Sequence, residues 1–363
     1  MKTIRFFPAL ISGLVLMGMA QARLAGQAAG QSPATQANGA GRAARPAQGS
    51  ALDERRITMD VVVTDKTGKP VTGLERGDFT LLDNNRGDEN FTVEGMDGVT
   101  HRDARPAEAI IVLDAVNQGH DLVVYQRQEV AKFLRQNGGR LAMPTSVFLF
   151  TDTGVQVQPR PTTDGNALAA TVEKMDLSWR FVDRRGGEAG RIDQFLLSLK
   201  LFSEIVESEA TKPNRKVVIW VGPGWPLLGG TSFVSTSKAQ KERFAAIVEF
   251  TRKMREGRIS LYSASKDFTL YTEYLGGVKT AREAEAGNLG LAVLATRSGG
   301  SVVSTGSDLV GAIERILPEA NAYYRLRFDG APAGRADEYH ELKVMVKQAG
   351  LTARSPSCYY AQP

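Results

Sequence analysis

Between residues 108 and 317 the sequence alternates short, almost wholly apolar segments with longer segments whose apolar residues recur every three or four positions. Residues 109–113 and 217–221 are two of the apolar segments, and residues 192–205 are one of the periodic segments. Continuous apolar strands that alternate with amphipathic helices are typical of a mostly parallel sheet covered by helices on both faces. This rhythm predicts an α/β fold with a doubly wound, mostly parallel sheet, in which residues 154–158 are a candidate return strand.

On both sides of this region the apolar residues alternate with polar ones. Residues 57–63 and 324–328 show the two-residue period of strands that bury one face. Each flanking β segment is too small to be stable alone. We therefore predict an N-terminal β module (53–100) and C-terminal strands (322–363) that pack together as a small β-sandwich beside the α/β domain (105–321).

The first 52 residues have the composition of an export signal followed by a linker. Lys2 and Arg5 precede an apolar run over residues 6–19, and Ala20 and Ala22 form a small-x-small cleavage site. The apolar run is shorter than the ~20 residues that cross a bilayer. We predict a signal peptide (1–22), a disordered linker (23–52), and a periplasmic or secreted protein without a membrane span.

The net positive charge of the chain comes from this leader and linker. The first 50 residues contain five of the 45 basic residues and no acidic residue, so the remaining basic residues equal the 40 acidic ones. A neutral body lacks the clustered basic face that a phosphate backbone requires, so we expect no nucleic-acid partner. Cys358 is the single cysteine, which excludes an intramolecular disulfide and a cysteine-built metal site. We expect it to be a small buried residue; the alternative is a bond between two chains.

Short motifs also follow one another in a characteristic order along residues 55–361. They include VVVTD at 61–65, GKPVTGL at 68–74, VLDAVN at 112–117, NRK at 214–216, SGG at 298–300 and YY at 323–324. In order and spacing they resemble the von Willebrand factor A-related domain proteins of acidobacteria, which are exported. The resemblance implies a von Willebrand A fold, a Rossmann-like doubly wound sheet with one antiparallel edge strand.

The resemblance also bears on a divalent cation at the carboxyl edge of the sheet. A typical von Willebrand A domain carries Asp-x-Ser-x-Ser after its first strand, so that alternate oxygens share one cation. Here Asp114 holds the first position, but Val116 and Gln118 stand where the serines should be. We therefore expect a degenerate site without a cofactor, in which Asp114 hydrogen-bonds its own loop. The alternative is a rearranged Mg²⁺ or Ca²⁺ site made by Asp114, Asn117 and Asp152.

Three residues near the same edge are candidates for binding a protein partner. Trp225 lies in a Gly- and Pro-rich loop after residues 217–221, and Arg184 and Arg185 lie in a basic, Gly-rich segment. Tryptophan is enriched at the centres of protein interfaces. The alternative for Trp225 is that it packs over the sheet.

These observations predict a non-enzymatic, exported protein-binding module of adhesion or scaffold type, which uses the loop rim at the carboxyl ends of the strands. One alternative is cation-dependent adhesion through a rearranged site at Asp114. A weaker alternative is a hydrolase that uses His120, because no Gly-x-Ser-x-Gly turn presents a nucleophile. The sequence identifies neither the partner nor the oligomeric state.

Overall fold

The computed structural model of the protein describes residues 55–96, 106–158, 160–177, 187–228, 236–266 and 272–363. The predicted signal peptide (1–22) and linker (23–52) therefore lie outside the described residues. All the described residues belong to one compact unit. None of the helices in these ranges combines the length and the apolar character that crossing a bilayer requires.

Strands and helices alternate through the centre of the chain, and strands alone occupy its two ends. The strands in the described ranges are β1 (Arg56–Thr64), β2 (Phe79–Asp83), β3 (Arg86–Asp88), β4 (Phe91–Met96), β5 (Glu108–Asp114), β6 (Arg140–Thr151), β7 (Gly154–Val157), β8 (Thr162–Asp164), β9 (Lys216–Val221), β10 (Ile259–Ser265), β11 (Val302–Ser304), β12 (Tyr323–Asp329), β13 (Glu338–Val346), β14 (Thr352–Arg354) and β15 (Cys358–Ala361). The helices are α1 (His120–Leu134), α2 (Gly165–Glu173), α3 (Gly187–Ala210), α4 (Ser237–Glu256), α5 (Leu291–Arg297), α6 (Leu309–Ile316) and α7 (Pro318–Asn321).

The central sheet has the strand order β11-β10-β9-β5-β6-β7, and β8 also pairs with β6. Strands β5, β6, β9, β10 and β11 run parallel to one another, whereas β7 and β8 are antiparallel to β6. The chain leaves β5 toward β6 on one side and later returns to β9 on the other. This confirms the predicted doubly wound sheet and the return strand. Such a reversal of strand order leaves a crevice outside the carboxyl ends of the strands.

Helices cover both faces of this sheet. One apolar core contains residues of α1, α2 and α6, and a second core contains residues of α3, α4 and α5. Successive residues of β5 feed opposite cores: Ile111 and Leu113 belong to the first, Ile110 and Val112 to the second. By the same alternation, Asp114 at the end of β5 belongs to the face that α3 covers.

The N- and C-terminal strands form two four-stranded antiparallel sheets, with the orders β14-β1-β12-β4 and β15-β13-β2-β3. Both sheets therefore combine strands from opposite ends of the chain. Their buried side chains meet in one core, which includes Met59, Val61, Leu326, Leu81, Leu342 and Tyr359. The predicted small β-sandwich is thus confirmed.

The contacts between the sandwich and the amino end of the central sheet include four residues, Asp60, Arg215, Arg258 and Tyr323, which we call the amino-end cluster. Arg215 and Arg258 immediately precede β9 and β10. Asp60 on β1 accepts hydrogen bonds from Arg258 Nε at 3.2 Å and Nη2 at 3.0 Å, and Arg215 Nη1 lies 3.0 Å from its Oδ2. The Arg215 guanidinium lies over the Tyr323 ring, 4.5 Å from its centre.

Candidate functional site

The carboxyl edge of the central sheet is organised around Asp114, whose side chain is completely buried. Its Oδ1 accepts hydrogen bonds from the backbone N–H groups of Val116 and Asn117, both at 3.0 Å. These two bonds form a turn of the kind that aspartate makes with the backbone that follows it. Asp114 therefore does hold its own loop, as the simpler interpretation of the sequence expected.

Two side chains donate to the same carboxylate. Asn117 Nδ2 lies 2.9 Å from Oδ2 and 3.1 Å from Oδ1 of Asp114. Trp220 Nε1, which comes from the end of β9, donates to Oδ2 at 3.0 Å. Together with the two backbone groups, four N–H-bearing groups converge on one carboxylate. Hydrogen bonds to an ionised acceptor are among the stronger ones in proteins.

Helix α3 fastens the loop that follows Asp114 from the other side. Ser198 is completely buried on α3, and its Oγ lies 3.3 Å from both Oδ1 and Nδ2 of Asn117. Gln194, one turn earlier, donates from Nε2 to the backbone oxygen of Val116 at 3.1 Å. The residues after β5 are thus connected to β9 through Trp220 and to α3 through these two side chains.

A pair of glutamines connects the loop to α1. Gln118 Nε2 donates to the backbone oxygen of Asp114 and to Gln126 Oε1, both at 2.6 Å, and Gln126 Nε2 returns a bond of 3.2 Å to Gln118 Oε1. Gly222 closes the site from the end of β9. A Cβ atom there would lie 2.8 Å from Asp114 Cβ, and the φ of +143° also disfavours a side chain, so only glycine fits.

The electrostatic state of Asp114 reflects this enclosure. Burial raises the pKa of its carboxyl, and the hydrogen bonds from Asn117, Trp220 and Val116 oppose that rise. Because the carboxylate is inaccessible and its acceptor positions face N–H groups, it does not present a base or a nucleophile to a substrate. The arrangement orders the loop instead.

The donors around Asp114 do not fit a divalent cation. Mg²⁺ and Ca²⁺ bind oxygen atoms at about 2.0–2.6 Å, whereas an indole N–H is a donor only. Asn117 turns its amide nitrogen to Asp114, and Asp152 lies in the turn between β6 and β7. Within the residues that the structure describes, no three His, Cys, Asp or Glu side chains form a group that could hold a metal ion.

Of the two interpretations of Trp225, the structure agrees with the alternative that it packs over the sheet, and not with an exposed partner-binding residue. The residue is only 4% exposed, its Nε1 donates to the backbone oxygen of Leu289 at 2.9 Å, and its ring packs edge-on against Trp220, 5.6 Å between centres. The loop after β9 folds back over the α3 side of the sheet, where a backbone acceptor is available to the indole. Arg184 and Arg185 lie outside the described residues. Cys358 is buried, as predicted.

Two exposed apolar residues on α1 were not predicted from the sequence. Leu122 and Tyr125 lie in the first turns of the helix, directly after the Asp114 loop, and we call them the rim patch. Tyr125 Oη lies 3.4 Å from the backbone oxygen of Ser307, in the loop that follows β11. Because β5 and β11 belong to the parallel part of the sheet, both loops lie at its carboxyl edge. The signal in the sequence is that neither residue belongs to the buried stripe of α1, which includes Val123 and Val130.

Comparison with known proteins gives no match to a protein-family model and none to a curated protein. Solved structures similar to the chain include the following three. The human COPII-coat protein Sec24c has a TM-score of 0.35 and 8% identity, over 75% of this chain and 46% of that chain. Proximal thread matrix protein 1 from the mussel byssus has a TM-score of 0.30 and 14% identity, over 60% of this chain and 48% of that chain. The ArnB paralog VWA2 from Sulfolobus acidocaldarius has a TM-score of 0.31 and 8% identity, over 84% of this chain and 76% of that chain.

This chain therefore matches about half the length of the first two structures. Likeness at these scores is too weak to argue from, so the fold assignment depends on the strand order and connections of the central sheet. The doubly wound, mostly parallel sheet and its antiparallel edge strand agree with what the sequence resemblance implied. The α/β region is therefore described by its own topology, a wound sheet with helices on both faces.

Proposed function

We propose that the protein is an exported, non-enzymatic module that binds another protein through the rim patch and the adjoining loops. The observation that carries this proposal is the exposure of the rim patch, with Leu122 42% and Tyr125 43% exposed. Residues three apart on a helix are neighbours on one face, so the two side chains form a continuous apolar surface. Aromatic residues are enriched in protein interfaces relative to the rest of the surface.

The position of the patch supports the same proposal. Open α/β sheets bind their ligands outside the carboxyl ends of the strands, where strand order reverses. The rim patch lies directly after β5, the strand at which the reversal occurs, and Tyr125 extends toward the loop after β11. A partner that covers the patch would therefore contact at least two rim loops.

Export is the second part of the proposal. The charged start, the apolar run and the small-x-small site of residues 1–22 support a signal peptide, and the resemblance to exported von Willebrand factor A-related proteins of acidobacteria supports the same location. A periplasmic or secreted site would bring the rim patch into contact with envelope or extracellular proteins. Recognition of another protein agrees with a role in adhesion or as a scaffold.

The two alternatives have less support. Cation-dependent adhesion needs oxygen ligands at Asp114, and the groups that face it are N–H donors. A hydrolase would depend on His120, which lies exposed in the first turn of α1. Its Nδ1 lies 3.8 Å from Oδ1 of Asp121, and both side chains are exposed to solvent.

A site-specific photo-crosslinker tests the proposal on the full chain in cells that export it. Placed at Tyr125, the crosslinker should capture a defined envelope or secreted protein, whereas the same group at Leu196 should not. Leu196 is a matched control because it is 54% exposed on α3 and lies two residues from both Gln194 and Ser198, which face the Asp114 loop. Residues two apart on a helix do not share a face.

The captured protein then allows a direct measurement of affinity. The double variant Leu122→Ser/Tyr125→Ser should bind it at least about tenfold more weakly, which corresponds to about 1.4 kcal/mol, and Leu196→Ser should bind it normally. Equal affinities for the two variants, or equal capture from both positions, would refute the role of the rim patch. Turnover in a hydrolase screen that His120→Ala abolishes would refute the non-enzymatic assignment.

A further inference from the structure

We infer that hydrogen bonds within the chain take the place of a cation at the carboxyl edge of the sheet. The Asn117 amide and the Trp220 indole occupy the acceptor positions of Asp114 that a metal would need, and they hold the rim in one arrangement without metal. The inference concerns the rim itself, so it stands whether or not a partner binds to the rim patch.

The acceptor capacity of the Asp114 carboxylate limits what it can bind. Two carboxylate oxygens offer about four acceptor positions. Asp114 receives the backbone N–H groups of Val116 and Asn117 on Oδ1, and the Asn117 amide and the Trp220 indole on Oδ2. A cation at Oδ2 would have to displace the last two donors and leave them buried without partners, which is unfavourable.

Neither side-chain donor to Asp114 is free to move away. The Trp220 ring is completely buried and packs edge-on against Phe150 at 4.8 Å and against Trp225 at 5.6 Å between centres. The Asn117 amide is held by Ser198 on α3. The second oxygen of Asp114 is thus surrounded by donors that the packing of the α3 face keeps in place.

The hydrogen bonds to Asp114 and Asn117 join separate elements of the fold. Asp114 ends β5, Trp220 lies in β9, and Asn117 reaches α3 through Ser198. The same few bonds therefore fix two neighbouring strands and one helix relative to the loop that leads into the rim patch. Because all the partners belong to the chain, the arrangement of the rim is independent of the concentration of divalent ions.

Thermal unfolding of the full chain tests the inference directly. The melting temperature of the wild type should change by less than about 1 °C on addition of EDTA or of millimolar Mg²⁺, Ca²⁺ or Mn²⁺, because a ligand that binds the folded state raises it. A saturable rise with any of the three ions, or a fall with EDTA, would overturn the inference. Heat of Mn²⁺ binding to the wild type in calorimetry would overturn it as well.

Asn117→Asp is the decisive variant, because it replaces an amide donor with a second carboxylate at the same distance from Asp114. We expect a lower melting temperature in EDTA and a saturable increase with Ca²⁺ or Mn²⁺, since two facing carboxylates offer a cation the oxygen atoms that the wild type lacks. A loss of stability that none of the ions restores would count against the inference, because two facing carboxylates destabilise each other whether or not the amide takes the place of a cation. Unchanged stability would refute it.

Asn137→Asp is the matched control. Asn137 is exposed after α1 and has a φ of +50°, a conformation that Asn and Asp both tolerate. It should leave the melting temperature and its metal response unchanged. If Asn117→Asp does not fold, Trp220→Phe provides the second variant, because it keeps an aromatic ring but removes the N–H. That variant should melt at a lower temperature than the wild type and remain unaffected by metal; wild-type stability would contradict the role of the indole.

Discussion

The two ends of the central sheet are closed by different chemistry. At the carboxyl edge, one buried carboxylate, Asp114, is surrounded by uncharged N–H donors. At the amino end, Asp60 lies between the guanidinium groups of Arg215 and Arg258. Hydrogen bonds from one loop and its neighbours therefore close the carboxyl edge, where open α/β sheets generally bind ligands, and ion pairs close the edge where the sandwich meets the sheet.

The amino end contains further buried charges. Glu319 on α7 accepts hydrogen bonds from Tyr262 in β10 and from Arg354 in β14. Lys216 at the start of β9 is completely buried and donates to the backbone oxygen of Lys212 at 2.5 Å. Glu319 thus connects β10 of the central sheet to the C-terminal strand β14. The sandwich and the α/β region are thus joined by contacts that depend on charge, in contrast to the carboxyl edge.

This difference determines which residues tolerate substitution. Removal of one member of a buried ion pair leaves an uncompensated charge and costs about 3–5 kcal/mol, whereas an uncharged N–H group that loses its acceptor costs about 1–3 kcal/mol. The comparison therefore predicts that substitutions at the amino end lower the free energy of unfolding more than substitutions at the carboxyl edge do.

The largest effect is expected for Asp60→Ala, which leaves Arg215 and Arg258 without their shared carboxylate. We expect a loss of about 3–5 kcal/mol in the free energy of unfolding, measured by denaturant titration. Glu173→Ala is the control, because it breaks an equally short pair with Arg135, at 2.7 Å, that is exposed. Exposed pairs contribute less than about 1 kcal/mol. A similar loss in both variants would remove the distinction between the two ends.

A smaller effect is expected for Asp114→Asn at the carboxyl edge. Asparagine keeps one acceptor oxygen but turns an NH₂ group toward buried donors, so at least one of those donors loses its partner. We expect a loss of about 1–3 kcal/mol in the free energy of unfolding. Asp164→Asn provides the comparison, because Asp164 caps α2 through the backbone N–H of Ala167 and asparagine caps helices equally well. If Asp114→Asn were as mild as this control, the donors would not be organised by the carboxylate.

The sequence predicts most of the fold because two periodicities suffice for it. The alternation of apolar and amphipathic segments predicts the doubly wound sheet, and the two-residue period at the chain ends predicts the sandwich. The sequence does not predict the extent of every helix and strand. The apolar stripe of residues 192–205 lies within α3, which extends over Gly187–Ala210, because polar residues continue a helix without adding to its stripe.

The candidate site is predicted only in part. Asp114 and Asn117 are close in sequence, and a loop after the first strand brings them together. Trp220 is 106 residues from Asp114 and lies in the apolar segment 217–221, which predicts that it is buried. It is buried, but its N–H also donates to the Asp114 carboxylate. That contact depends on the register in which Val112 lies opposite Trp220 across β5 and β9. A single sequence does not show the register between two strands, so the Trp220 donor was not predicted.

The amino-end cluster was missed for a related reason. Asp60 occupies a polar position in the alternating pattern of β1, and Arg215 and Lys216 stand directly before an apolar segment. Such charges inside or beside a buried segment are a signal that they need partners. Asp60 comes from the N-terminal strands and its arginine partners from the starts of β9 and β10, so only the assembled sheets bring them together.

A third prediction uses the pH dependence of the amino end. Burial lowers the pKa of Lys216 to about 8, from an ordinary value of 10.5. The unfolded chain therefore holds this proton more tightly than the folded chain, so the contribution of Lys216 to stability should rise with pH between about 8 and 10.5. We expect the wild type to gain about 1 kcal/mol relative to Lys216→Met between pH 8 and pH 10, allowing for partial screening by solvent.

Denaturant titrations of both proteins across this pH range provide the measurement. The tyrosines that titrate at high pH are present in both proteins, so their contribution cancels in the difference. No corresponding change is expected between the wild type and Asp114→Asn, because that substitution leaves Lys216 in place. Parallel curves for the wild type and Lys216→Met would show that Lys216 has no altered pKa and that the amino end is less enclosed than its burial indicates.

The smallest effect on folding is expected at the rim patch. Leu122→Ser/Tyr125→Ser should change the free energy of unfolding by no more than about 0.5 kcal/mol per substitution, because both side chains are largely exposed in the folded protein. Leu196→Ser on α3 should behave in the same way. Urea titration of the three proteins measures this directly. A much larger loss for the double variant would mean that the patch packs against the protein's own rim. A small loss of stability together with lost capture of a partner would show that the carboxyl edge serves recognition, whereas the amino end stabilises the fold.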